Sequence, residues 1–84
     1  MVASRFCTID IYFLSKKTDP KKIYKAIKKL PIMVISKHIK EDDKYINLKI
    51  ISEIRKDEDI FDIKDHISSL ADIEKISVSE KAKV

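Results

Sequence analysis

The sequence contains no glycine, and this absence excludes most known designs of phosphate and nucleotide site. Backbone at positive φ, or backbone in close contact with a phosphate, normally uses glycine because glycine lacks a Cβ atom. The P-loop, the dinucleotide-binding fingerprint and the nucleophile elbow of α/β-hydrolases are therefore absent. The EF-hand loop, the KH-domain loop and the RNP1 motif are absent as well. We expect no catalytic residues and no cofactor, and hence no enzyme.

Cysteine is also scarce, since Cys7 is the only one in the chain. One cysteine cannot form an internal disulfide framework, and this favours a reducing compartment such as the cytoplasm. Cys7 occupies an inward-facing position of a predicted strand, where a thiol is inert. Together with His38 and His66 it lacks metal-site spacing, so no metal is predicted. Asp62 and His66, four residues apart on a predicted helix, are expected to pair at the surface.

Long apolar runs are missing too. No run approaches the roughly 18 apolar residues of a membrane-spanning helix, and the first residues lack the apolar stretch of a signal peptide. The chain has 84 residues, of which 44% are hydrophobic and 38% charged, and this is the balance of a globular domain. A chain of this length forms one small core. We therefore predict a single domain over residues 1–84, without a large substrate cleft.

Four segments show the alternation of apolar and other residues that predicts β-strands. The clearest covers residues 5–14, where Cys7, Ile9, Ile11 and Phe13 occupy one face. The others are residues 32–39, 45–54 and 73–79.

Two helices are predicted between these strands. Asp19 can cap the first, Pro20 suits its first position, and Pro31 ends it. Asp57 is expected to open the second helix. Each helix has an apolar stripe at helical spacing, formed by Ile23, Ala26, Ile27 and Leu30 in the first and by Ile60, Ile63, Ile67 and Leu70 in the second.

The element order is therefore β-α-β-β-α-β. Residues 40–44 have turn composition and predict a hairpin between the second and third strands, while the tail from Glu80 is predicted to be loose. Each helix and each strand has one strongly apolar face, which favours a sheet with both helices on one side. Right-handed crossovers then give an α+β, ferredoxin-like two-layer sandwich with an antiparallel sheet in the order 4-1-3-2.

Charge is distributed unevenly along the chain. Residues 1–40 hold ten Lys and Arg against two acids, whereas residues 41–84 hold eight against twelve. Seven lysines gather on the first helix and the loop before it, and we call them the lysine surface: Lys16, Lys17, Lys21, Lys22, Lys25, Lys28 and Lys29. They are candidates for contact with an anionic membrane surface. Nucleic-acid phosphates are less favoured because arginine is nearly missing, and a solvated helix face is the alternative without a partner.

The second strand is an edge of the predicted sheet. Residues 32–35 are consecutive apolar residues, and an exposed apolar edge normally needs covering. We predict a partner interface at Ile32, Val34 and Ile51, used in a weak homodimer or in contact with the rest of a parent protein. Alternatively, the tail after Glu80 folds back over this patch.

The sheet face away from the helices supports a different function. RNA bases could stack there on Phe6, Tyr12 or Tyr45, and the lysine surface could contact RNA phosphates. The alternative function is thus a small RNA-binding module, although Asp10 is expected among those aromatics.

Two segments resemble a known family. Residues 18–30, Thr-Asp-Pro-Lys-Lys-Ile-Tyr-Lys-Ala-Ile-Lys-Lys-Leu, resemble the first loop and helix of ACT domains, which share the β-α-β-β-α-β order. Residues 57–78 are similar in their apolar positions to the cytoplasmic C-terminal ACT-like domain of MgtC-type membrane proteins. The resemblance implies a non-catalytic regulatory or interaction domain, on the cytoplasmic side of a larger protein. Lysines replace the usual ligand-loop glycine, so no amino acid is expected to bind at residues 15–22.

Overall fold

A computed structural model describes residues 5–55, 57–70 and 73–82 of the chain. The strands are β1 (Arg5–Leu14), β2 (Ile32–Glu41), β3 (Tyr45–Ile54) and β4 (Ile73–Ala82), and the helices are α1 (Pro20–Lys28) and α2 (Ile60–Ser68). The strands form one antiparallel sheet in the order β2-β3-β1-β4. This confirms the predicted ferredoxin-like arrangement, with β2 and β4 as its edges.

The core lies between the sheet and the two helices. The inward side chains of β1 were predicted from alternation alone, and all four are buried. They pack in one cluster with Ile23 and Ile27 of α1 and with Ile63 and Ile67 of α2, so both helices cover the same face of the sheet. Among the described residues no helix is long and apolar enough to cross a bilayer.

The N-terminal caps of the helices agree with the sequence in one case and correct it in the other. The Asp19 carboxylate accepts a hydrogen bond of 2.9 Å from the Lys21 N–H, as predicted for a cap of α1. Asp59, not Asp57, caps α2, and it accepts a 2.9 Å bond from the Phe61 N–H. A cap must immediately precede the first helical residue, and Asp57 lies two positions too early.

The end of the chain also differs from the expectation of a loose tail. β4 continues through Glu80 to Ala82 and pairs with β1 as far as Arg5. The Arg5 guanidinium forms an ion pair with Glu80 and donates bonds of 3.1 and 2.7 Å to the carbonyl oxygens of Arg55 and Glu58. This contact ties the start of β1 to both the end of β4 and the β3–α2 loop. Because β4 lies at the opposite edge from β2, residues 80–82 do not cover β2, and residues 83–84 lie outside the described part.

The hairpin predicted at residues 40–44 is held by the side chain of Asp42. Its carboxylate accepts hydrogen bonds from the N–H groups of Tyr45 at 2.7 Å and Lys44 at 2.9 Å. This Asx turn serves in place of the glycine that many hairpins use.

Replacement of Asp42 by alanine should destabilise the protein at neutral pH and have little effect at strongly acid pH. The bonds from Tyr45 and Lys44 hold the pKa of the Asp42 carboxyl below its usual value. Such a group contributes stability above its unfolded-state pKa, and this contribution is lost as the pH falls through its lower folded-state pKa. Urea unfolding of both proteins at neutral pH and below the Asp42 pKa measures the difference. Asp43→Ala is the matched control in the same turn, and equal losses from both variants would contradict the role of Asp42.

Candidate interaction surfaces

A β-bulge changes the side-chain pattern along the edge strand β2. Ile32 and Val34 pair with Ile54 and Ser52, whose side chains face the helices. The register then shifts between Val34 and Ser36, and Ile35 is the additional residue. A bulge of this kind bends an edge strand and breaks the regular row of backbone groups that another strand could pair with.

The three residues of the predicted partner interface do not share a surface. Ile32 and Val34 are half-buried and pack against the core beneath the helical layer. Ile51 lies on the opposite, open face, since it alternates with the buried Ile50 and Ser52. The predicted common face is therefore corrected, because Ile32 and Val34 lie on the helical side of the sheet and Ile51 lies on the other side. A partner contact at these residues stays a prediction.

Other apolar side chains of β2 are the exposed ones. Met33, Ile35 and Ile39 have 66%, 53% and 48% of their surface exposed. The sequence analysis singled out residues 32–35 as an apolar edge but centred the interface on other residues. Met33 is in register with Glu53 and Ile39 with Leu48, so these two lie on opposite faces of the sheet, with Ile35 at the bulge between them. We call Met33, Ile35 and Ile39 the β2 edge residues.

All seven residues of the lysine surface are exposed to solvent. None of the seven lysines forms an ion pair with an acidic residue in the described part of the chain, where Arg5 pairs with Glu80. The Lys28 ammonium lies 5.5 Å from the centroid of the Tyr24 ring, and that of Lys37 on β2 lies 3.9 Å from it. Both distances are in the cation–π range. The positive surface thus extends from α1 onto β2.

The open sheet face carries the residues that the sequence placed there. Asp10 lies in register with Lys49 and Ser77, at the centre of this face. The Asn47 amide donates bonds of 3.4 Å to the Asp10 carboxylate and 3.3 Å to the Ile11 carbonyl. The centre of the open face is therefore occupied by the hydrogen-bonded carboxylate of Asp10.

The aromatic rings of this face have neighbours of their own. Tyr12 is 36% exposed, and the Lys75 ammonium lies 5.8 Å from its ring centroid. Tyr45 is exposed at the end of β3 beside the hairpin. RNA binding at this face stays a prediction, and the acidic centre does not favour it.

The thiol and imidazole groups do not form a site. The Cys7 sulfur lies 3.0 Å from the Ser52 hydroxyl oxygen, and burial raises the pKa of the thiol. His66 Nδ1 is 2.9 Å from the carbonyl oxygen of Asp62, so the expected contact of His66 is with the backbone and not with the Asp62 carboxylate. The described residues contain no group of three potential metal ligands close together.

A groove of about 520 Å³ runs between the two helices. Its lining includes the buried Ile63 and Ile67, and also Asp62 and His66 of α2 and Lys29, which follows α1. A smaller hollow of about 280 Å³ lies beside the loop before α1 and is lined in part by Lys17, Lys22 and the capping Asp19. The Asp19 carboxylate already caps α1, so it occupies the helix N-terminus that could otherwise attract the carboxylate of a ligand. The absence of amino-acid binding at this loop stays a prediction.

Comparison with known proteins identifies the fold. No protein-family model matches the sequence, and no curated protein does. The ACT domain from the GTP pyrophosphokinase of Chlorobium tepidum is similar in structure, with a TM-score of 0.77 over 90% of this chain and 99% of that domain. The two sequences are 10% identical, so the likeness concerns the fold alone. It confirms the ACT-like fold expected from the sequence resemblance.

Proposed function

We propose that this chain is a non-catalytic regulatory domain that acts by association, through the edge of its sheet at β2. An ACT-like fold supports a regulatory use, since the similar domain is a named part of a GTP pyrophosphokinase. The chemistry of the titratable groups supports it too. The thiol is buried with a raised pKa, and the His66 ring is engaged by backbone. The thiol has no imidazole beside it, and His66, although it lines the groove between the helices, has its Nδ1 beside the Asp62 carbonyl oxygen, so no nucleophile–base pair is formed between them.

The observation that carries the proposal is the exposure of the β2 edge residues along an unpaired strand edge. β2 pairs on one side with β3 and has no strand on its other side among the described residues. Alternate residues of β2 therefore present backbone hydrogen-bonding groups on its free side, beside three exposed apolar side chains. Natural edge strands are usually short, charged or covered. Lys37 and Lys40 protect only the distal part of β2, and the bulge at Ile35 interrupts a regular ladder without hiding the apolar side chains.

The association we propose is a weak homodimer or an equivalent contact with the rest of a parent protein. Three exposed apolar side chains spread along a bulged edge support an interface near the small end of the known range. The resemblance of residues 57–78 to MgtC-type proteins supports a parent of that kind, with this domain on the cytoplasmic side of the membrane. On that proposal residues 1–84 form its single ACT-like domain.

Sedimentation velocity at several protein concentrations tests the association. The wild-type chain should show a sedimentation coefficient that rises with concentration. Ile35→Lys should weaken self-association by at least about tenfold, as loss of a central interface side chain does. Phe61→Lys is the matched control, because Phe61 on α2 is 70% exposed and the change in charge is the same.

Two results would contradict the proposed homodimer. One is a monomer at all concentrations that Ile35→Lys leaves unchanged, which would exclude self-association and leave only the contact with a parent protein. The other is a loss of association in Phe61→Lys but not in Ile35→Lys, which would place the contact on the helical layer.

A further inference from the structure

The solvent-facing arc of α1 consists of lysine alone. At 100° per residue, Lys21, Lys22, Lys25, Lys28 and Lys29 fall within an arc of about 120°, opposite the buried stripe of the helix. Lys16 and Lys17 add two exposed ammonium groups in the loop just before the helix.

This arrangement is unfavourable for the isolated domain. Lys25 has a like charge four residues away on each side, at Lys21 and Lys29, and such pairs destabilise a helix. Lys21 and Lys22 lie in the first turn, which contains no acid and carries the positive end of the helix dipole. In the described part of the chain no carboxylate pairs with any of them. An external anion would relieve this repulsion.

We infer that the lysine surface binds the anionic surface of a phospholipid membrane. All the cationic groups of α1 are ammonium groups on flexible stems, which suit a diffuse field of negative charge. Arginine, which recognises phosphate through two parallel bonds, is absent from this surface: Arg5 is engaged with Glu80, and Arg55 follows β3.

The shape and the aromatic content of the surface favour a membrane over single-stranded nucleic acid. The arc is the convex outer side of a helix rather than a groove that follows a strand of phosphates. Tyr24 is the aromatic residue of α1, and the ammonium groups of Lys37 and Lys28 lie over its ring. The ring is therefore not free to stack on a base. Tyr24 instead holds Lys37 beside Lys28 and widens the positive surface toward β2.

Binding of this kind is electrostatic and reversible. No apolar side chain lies in the lysine arc to insert among acyl chains, so the affinity should come from the lysines, with about a fivefold contribution from each. It should fall steeply with salt, because the Debye length shortens from about 10 Å at 0.1 M to about 3 Å at 1 M. The inference does not depend on association through β2.

Vesicle co-sedimentation of the 84-residue chain tests the inference. Vesicles of phosphatidylcholine alone are compared with vesicles that also contain phosphatidylserine. We expect binding only to the second kind, lost at high salt. The variant Lys21→Gln, Lys25→Gln, Lys29→Gln should lower the partition coefficient by about a hundredfold.

A charge-matched control separates the surface from net charge. Lys40, Lys49 and Lys64 are exposed lysines outside the lysine surface, and their triple replacement by Gln changes the net charge by the same amount. This control should keep most of the affinity. The α1 variant should also melt close to the wild type, because the relief of like-charge pairs is offset by the loss of cations at the C-terminal end of the helix dipole, at Lys25 and Lys29. A folded protein that no longer binds supports a role in binding.

Each other outcome overturns the inference. Equal loss in both triple variants would mean that net charge, not this surface, drives binding. Binding of a single-stranded RNA oligonucleotide without vesicle binding would assign the surface to nucleic acid. Absence of binding to both would make the lysines a solvated helix face.

Discussion

Replacement of Ile11 by alanine is expected to lower the free energy of unfolding by about 2–5 kcal/mol. Ile11 is fully buried in the middle of β1, and it lies in register with Leu48 on β3 and Ile76 on β4. Its side chain belongs to the cluster that joins the sheet to both helices. Truncation removes the transfer free energy of three carbon atoms and leaves a cavity that two flanking strands prevent from closing.

Urea unfolding measures this loss, and Ile39→Ala is its matched control. Ile39 is also an isoleucine on a strand and lies in register with Leu48, but it is 48% exposed on the edge strand. Its truncation should cost less than about 1 kcal/mol. The slope of free energy against urea should be the same in all three proteins if the unfolded states are alike. A loss below about half a kcal/mol in Ile11→Ala would show that the assignment of the inward face is wrong.

The elements that the sequence predicted well are those with an uninterrupted period. β1 alternates over all ten residues, so its bounds and its buried face follow from the sequence. α1 has a capping aspartate, a proline at its first position and a proline soon after its end, and these signals are local. Local signals of this kind are independent of the rest of the fold.

Two features differ from the sequence predictions, the end of β4 and the N-terminal cap of α2. The first depends on contacts between distant residues, and the second on a choice among several acidic residues. β4 extends to Ala82 because it pairs with β1. The ion pair at this end joins Glu80 to Arg5, which lies 75 residues earlier in the chain. Near α2 three consecutive acids compete for one cap, and composition does not decide among them. A strand end fixed by a long-range ion pair has no local signature.

The candidate surfaces divide in the same way. The lysine surface follows from the helical period of α1, since every position outside the apolar stripe must face solvent. The facing of β2 did not follow, because residues 32–35 show no alternation and either pair could face the helices. The bulge after Val34 then changes the register for the rest of the strand. The prediction that Ile32 and Val34 share an exposed face with Ile51 was wrong for this reason.

Cys7 is expected to react with a thiol reagent several orders of magnitude more slowly in the native protein than in urea. Its side chain is 1% exposed and lies between β3 and β4 in the register of the sheet, beside the Ser52 hydroxyl. Burial also raises the pKa of the thiol, so the native state holds less of the reactive thiolate. Reaction should therefore proceed through molecules that have opened.

The pH dependence of labelling identifies the reacting state. If the open state reacts, the rate should rise with pH through the ordinary thiol pKa, as it does for the unfolded chain. Direct reaction in the native state would instead follow the raised pKa of buried Cys7. The same shift predicts that native stability falls as the pH rises above the ordinary thiol pKa, since the unfolded chain then loses a proton that the native protein keeps.

The Ile11→Ala variant links the labelling rate to global stability. Because each 1.4 kcal/mol changes an equilibrium tenfold, a loss of about 2–5 kcal/mol should accelerate Cys7 labelling by between about thirtyfold and a few thousandfold. Arg5→Met provides the contrast, since it releases the ends of β1 and β4 while leaving the central core intact. If Arg5→Met accelerates labelling far more than its effect on urea unfolding predicts, Cys7 is reached by local separation of β1 from β4. If the acceleration of labelling matches the lost stability in both variants, β1 leaves the sheet only when the whole domain unfolds. An unchanged labelling rate in Ile11→Ala would contradict this link between labelling and global unfolding.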